Sequence, residues 1–347
     1  MRVLFKQATS FILAAATALC LTVPTRAGET PSLERMKKDY QRPAAIPFPD
    51  DNPFSVDKQR LGQQLYFDPR LSGNNNISCA TCHNPGLSWG DGLAKGIGAG
   101  GTLARRSPTI LNLAWAELLM WDGSKTSLED QALGPVESDM EMNQNVGELV
   151  AKLEKIDGYR IAFEQTFPGE GITLANVAKA IATFERTIVS TSAPFDRWIA
   201  GDEQAIGESA KRGFVLFNTK GNCAACHTGW NLTDHGFHDI GLADEDIGRG
   251  KLLPLPSMKH AFKTPTLRDV TRRAPYMHDG SLADLNAVMD HYDKGGVVRP
   301  SLSAEMKPLK LTAGEKNDLV AFMLTLTGDA EPVSMPMLAM PSQNPGF

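Results

Sequence analysis

Cysteine is scarce in this chain of 347 residues: five are present, and Cys20 lies inside the apolar opening segment. The other four form two Cys-x-x-Cys pairs, which leaves none over for a disulfide framework or a separate zinc cage. A basic surplus is also missing. Lys and Arg number 35 against 40 Asp and Glu, a net charge of −5, which argues against nucleic acid or an anionic membrane as partner. After the opening segment no apolar run is long enough to cross a bilayer. Strand signals are few, and no histidine occurs between His83 and His227.

The opening segment reads as a secretory signal. Arg2 and Lys6 precede an apolar stretch from Phe11 to Val23, and Thr25-Arg26-Ala27 ends in a small residue suited to cleavage. The run is too short for a permanent anchor. Leu19 before Cys20 argues against a lipoprotein site. Export predicts a periplasmic protein without a membrane anchor, more acidic still once the three basic residues of the signal are removed.

Each cysteine pair is followed at once by histidine: Cys79-Ala80-Thr81-Cys82-His83 and Cys223-Ala224-Ala225-Cys226-His227. That is the attachment pattern of c-type haem. The two thiols add across the vinyl groups, and the adjacent histidine lies beneath the ring to ligate iron. One Cys-x-x-Cys alone would equally suit a redox dithiol or half a zinc site. Two copies, each with an immediate histidine, predict two covalently bound c-type haems, with His83 and His227 on the irons.

Helical spacing marks 56–67, 127–133, 146–156, 159–167, 203–217, 282–294 and 313–326, and most clearly 173–190, where Val177, Ile181, Phe184 and Ile188 share a face. The glycine-dense stretch 90–101 reads as irregular. The class is therefore mostly α: two cytochrome c-like haem domains with long loops and few strands. The expected layout is a signal peptide 1–27, an N-terminal haem domain 28–200, a C-terminal haem domain 201–330 and a disordered Pro- and Met-rich tail 331–347. Beyond the haem motif no strong internal repeat stands out.

A longer series of residues resembles the bacterial di-haem cytochrome c peroxidases. It runs Trp121-Asp122-Gly123, Leu128, Gln131, Pro135, Glu141-Met142, Phe184-Glu185-Arg186-Thr187, Pro194-Phe195-Asp196-Arg197, Lys263 to Arg268, and Pro275 to Ser281. The resemblance covers roughly residues 50–328. It implies that 28–200 is a peroxidatic domain whose haem reacts with peroxide and that 201–330 is an electron-transfer haem domain. Two features resemble the MauG-like branch. The loop Gly90 to Gly98 lacks the distal histidine of peroxidases that need prior reduction, so haem 1 is expected to be five-coordinate, with Lys95 the rival ligand. Tyr292 stands where many of those peroxidases place a methionine on the second iron. A phenolate favours oxidised iron, whereas a thioether favours Fe(II). Met289 and His291 remain alternatives to Tyr292.

The resemblance also implies roles. Glu141, rather than Glu137 or Asp139, would shuttle the peroxide proton, Gln131 would hydrogen-bond bound oxygen, and Pro135 would shape the pocket. Trp121 would carry electrons between the irons, although a core tryptophan is the plainer reading. Trp230 is a weaker candidate for passing oxidising equivalents outward; packing against haem explains it as well. The family commonly holds a calcium ion with an asparagine and two carbonyls, here those of Arg273 and Pro275. Arg106 occupies the asparagine position, so either the site is lost or a neighbour such as Asn112 supplies the oxygen; retained calcium is the expectation taken forward. The expected function is a periplasmic peroxidase that uses hydrogen peroxide to form a high-valent iron oxidant shared between two haems and applies it to an external, protein substrate. The alternatives are a cytochrome c peroxidase fed by a small cytochrome or cupredoxin, and a non-catalytic electron carrier.

Overall fold

The computed structural model describes residues 32–329 and 333–341; the expected signal peptide lies outside them. The described residues are mostly helical, with strands confined to two short antiparallel ribbons, Ile97–Gly98 with Gly101–Thr102 and Phe237–His238 with Phe262–Lys263. No helix among them is long and apolar enough to cross a membrane.

Each haem motif hangs from a pair of crossed helices. In the first half, Val56–Phe67 starts at Ser55, whose hydroxyl accepts from the Lys58 amide at 3.2 Å, and it buries Leu61, Leu65, Tyr66 and Phe67. It crosses Leu174–Arg186 at Gly62, where a β-carbon would lie 1.9 Å from the Ala180 carbonyl oxygen. In the second half, Glu208–Asn218 crosses Ala313–Leu324 at Gly213, where a β-carbon would lie 2.0 Å from the Asp318 carbonyl oxygen. Thr312 and Glu315 cap that last helix reciprocally, at 3.2 and 2.7 Å. The two halves thus repeat one device, helix, haem motif and returning helix. Besides the haem motif, the glycine and the residues three and four beyond it, Leu65-Tyr66 and Leu216-Phe217, carry the repeat in sequence.

Two apolar cores follow. One gathers Leu61, Leu65, Val136, Leu149, Tyr159, Phe163, Val177 and Ile181; the other gathers Phe195, Trp198, Phe214, Phe217, Leu319 and Phe322. Met36 and Tyr40 belong to the second core, and the Tyr40 hydroxyl donates to Asn218 Oδ1 at 2.8 Å. Phe195 and Trp198, also expected in the first half, pack there too.

Residues 333–341, within the stretch expected to be a disordered tail, lie along the first half. Gln63 Nε2 donates to the Ser334 carbonyl at 3.1 Å, Gln64 Nε2 to that of Met337 at 2.9 Å, and Arg70 to that of Ala339 at 2.8 Å. The Gly158 amide donates to the Met340 carbonyl at 3.1 Å. Composition alone gave no sign of these donors, which supply the partners that a Pro- and Met-rich segment cannot supply to itself.

Candidate haem sites and the cavity between them

A cavity of about 1020 Å³ is lined by Cys82 and His83 of the first motif and by Cys223, Cys226 and His227 of the second. His83 Nδ1 lies 2.9 Å from the Pro108 carbonyl, and His227 Nδ1 lies 3.0 Å from that of Leu232. A carbonyl only accepts, so each Nδ1 carries the proton and each Nε2 keeps its lone pair. Burial lowers the pKa of both rings and holds them neutral, the form that ligates iron. Burial also drives up the Cys79 and Cys82 thiols, and that of Cys223 to about 12. Thiolates are disfavoured there, against a zinc cage or a redox dithiol. Sulfur held as an uncharged thioether carries no such cost, so both motifs fit a covalently attached haem.

The anionic edge of haem is matched as well. Arg106, Lys263 and Arg273 line the cavity. Burial lowers the pKa of all three, to about 8 for Lys263 and about 10 for Arg273. Such cations gain from an anion in the space they face. Lys263 was not singled out in the sequence, because one lysine within a family signature carries no mark of burial.

Gln131 and Pro135 sit four residues apart on Leu128–Glu137, hence on one face, and both line the cavity with Glu141. The chain then turns back, with the Glu141 amide donating to the Ser138 carbonyl at 3.1 Å and that of Met142 to the Pro135 carbonyl at 3.1 Å. The Ala99 amide donates to the Glu141 carbonyl at 2.8 Å, and a β-carbon on Gly98 would lie 2.1 Å from the Met140 carbonyl oxygen. The glycines of 90–101 thus let a small ribbon press against this turn. Burial raises the Glu141 carboxyl above its ordinary range, with Ser138 opposing. Glu137 and Asp139 are exposed and lie off the cavity. Lys95 reaches the cavity lining from an exposed position.

Tyr292 and Met289 line the cavity from Leu285–Lys294. Tyr292 is pushed well above the ordinary phenol range, chiefly by burial. His291 turns away, its Nε2 2.9 Å from the Ile240 carbonyl. Trp121 also lines the cavity, and its indole Nε1 donates to the Arg106 carbonyl at 2.9 Å. Trp230 is not part of the lining. It meets Trp115 edge-on at 4.7 Å between ring centroids, with the Arg42 guanidinium 5.2 Å from its ring. Its carbonyl accepts from Arg268 Nε at 2.7 Å. His278 was quoted in the sequence only as part of a run. It is buried, stacked on Phe262 at 3.5 Å, and its Nε2 lies 3.6 Å from Asp244.

The calcium expectation does not fit these residues. The Arg106 guanidinium donates to the Arg273 carbonyl at 3.0 Å, filling the position the ion would take on one of its two expected carbonyl ligands. Asn112 is committed elsewhere: its Nδ2 donates to Asn231 Oδ1 at 2.8 Å, and its Oδ1 accepts from the Ser190 amide at 2.9 Å. A cation of charge +2 beside a guanidinium is repelled rather than held.

Residues 56–204 match a family model described as di-haem cytochrome c peroxidase, and residues 210–327 match one described as cytochrome c. The chain is 50% identical over 311 residues to the methylamine utilization protein MauG of Methylorubrum extorquens, covering 88% of each chain. It is 48% identical to the protein of the same name from Methylophilus methylotrophus, covering 87% of this chain and 92% of that one. Cytochrome c peroxidase Ccp of Escherichia coli is 35% identical over 84% of this chain and 62% of its own. A crystal structure of a MauG-like protein associated with microbial copper homeostasis superposes with a TM-score of 0.76 at 33% identity, over 83% of this chain and 95% of that one.

Proposed function

The chain belongs to the di-haem cytochrome c peroxidase family and is a haem-dependent peroxidase, and we propose that it works in the periplasm as a MauG-like enzyme that oxidises a protein substrate at a distance. The observation that carries this reading is the single cavity in which Glu141, Trp121, Tyr292 and both motif histidines meet. The name shared by the two relatives at 50% and 48% identity supports a place in methylamine utilization. When bound, the haems supply redox-active iron able to take two oxidising equivalents from peroxide.

The chain's own residues do the rest. His83 and His227, their Nδ1 protons held by carbonyls, would hold the two haems through Nε2. Glu141, its carboxyl raised by burial, moves the peroxide proton from the near oxygen to the far one. Gln131 donates to the near oxygen, and Pro135 walls the pocket on the same helical face. Trp121 would pass an electron between the pockets while its indole N–H stays hydrogen-bonded to the Arg106 carbonyl. Tyr292, which lines the cavity, would hold the second haem as a hard oxygen donor, and such a donor favours storage of an oxidising equivalent over uptake of electrons from a carrier.

Stopped-flow mixing tests the choice. The holoprotein is treated with one equivalent of peroxide and then with a reduced small c-type cytochrome. The proposal expects an oxidised state that forms without prior reduction and is discharged slowly by the cytochrome. Rapid turnover on the cytochrome, or dependence on prior reduction, would favour the detoxifying peroxidase.

A further inference from the structure

We infer that Arg106 is a built-in cation that serves, in place of an exchangeable divalent metal ion, to tie the two haem pockets together. The side chain is 8% exposed and lines the cavity, and among the described residues no carboxylate pairs with it. Its three polar groups reach three different parts of the chain. The guanidinium donates to the Arg273 carbonyl at 3.0 Å, the amide donates to the His278 carbonyl at 2.9 Å, and the carbonyl accepts from Trp121 Nε1 at 2.9 Å. One residue therefore fixes Trp121, which lines the shared cavity, and ties it to the turn carrying Arg273 and His278.

Two physical arguments separate this arrangement from a metal site. Calcium needs six to eight oxygen ligands at about 2.3–2.6 Å, and the guanidinium already stands on one carbonyl while Asn112 Oδ1 is engaged by the Ser190 amide. A buried guanidinium without a carboxylate is costly unless an anion meets it from the cavity. The carboxylate edge of a bound haem is the anion the site would take, so cofactor loading depends on one covalently held charge, on the same residue whose backbone carbonyl holds Trp121. Chelators cannot remove it.

The inference rests on the di-haem reading, and its first test, metal content, is independent of activity. The purified holoprotein is dialysed against EDTA and then metal-free buffer, and calcium per chain is measured by mass spectrometry alongside the ferric EPR spectrum. The expected result is calcium far below one per chain and an unchanged spectrum, with added calcium chloride also without effect. One tightly held calcium whose removal alters the spectrum would overturn the inference. The second test compares haem midpoint potentials in Arg106→Gln and Arg106→Lys. Loss of a nearby positive charge stabilises oxidised iron, so the glutamine variant is expected to show a downward shift at one haem or more, and the lysine variant to retain most of the native value. Native potentials in the glutamine variant would overturn it. If Arg106→Gln fails to fold, Arg106→Lys still decides: it must load two haems and stay insensitive to EDTA.

Discussion

Gly62 lies so close to Ala180 that a β-carbon would stand 1.9 Å from the Ala180 carbonyl oxygen, and Gly213 meets Asp318 in the same way at 2.0 Å. Backbone cannot yield as a side-chain end can, so any larger residue must push the helices apart. Gly62→Ala and Gly213→Ala are each expected to lower stability by about 1–3 kcal/mol, the range for overpacking a core. Thermal unfolding of the holoproteins checks this, and a melting temperature unchanged in both would contradict the close crossing.

If Glu141 shuttles the proton as proposed, its removal is expected to slow the reaction with peroxide by about 10²–10⁴-fold, the usual contribution of general acid–base catalysis. Glu141→Gln keeps the shape and loses the proton transfer. Glu137→Gln and Asp139→Asn, on exposed positions off the cavity, are expected to leave the rate unchanged. Stopped-flow rates against peroxide concentration discriminate among the three.

Much of this site was legible in the chain before its structure. The two haem motifs announce themselves by spacing, and Gln131 and Pro135 fall on one helical face because they stand four residues apart. Other parts were hidden. The repeat of crossed helices rests on a glycine and two following residues, too little to register. The tail's hydrogen bonds to Gln63, Gln64 and Arg70 depend on partners more than 260 residues away in sequence. Arg106 stood in the sequence only as a substituted calcium ligand, and its contact with the Arg273 carbonyl, on which the proposed replacement rests, is visible only in the structure. Local pattern reports faces and motifs; it does not report which distant carbonyl a buried cation will find.

Tyr292 faces the cavity while His291 is held by the Ile240 carbonyl. Tyr292→Met is therefore expected to raise the potential of the second haem, since a soft thioether favours reduced iron. His291→Gln is expected to leave that potential close to native. Spectroelectrochemical titration measures both, and a shift in the histidine variant with none in the tyrosine variant would reverse the assignment.

Glu185 is buried, its Oε2 has no hydrogen-bond partner, and burial raises its carboxyl to about 8, with Arg186 opposing. Its unfolded pKa lies near the ordinary 4.5. Between those values the folded state holds a proton that the unfolded state has lost, so this group makes stability fall as pH rises from about 4.5 to 8. Glu185→Gln cannot titrate. Its melting temperature is expected to decline less than that of the native protein between pH 5 and 8, and parallel curves would show that Glu185 is not the cause.

The central claim is that the first iron is open to peroxide and the second can share the oxidising equivalents. The most direct measurement is the EPR spectrum of the resting ferric holoprotein, repeated after one equivalent of hydrogen peroxide with no reductant present. The account predicts one high-spin and one low-spin ferric signal, both lost on addition of peroxide and slow to return. Two low-spin signals that ignore peroxide until one haem is reduced would contradict it.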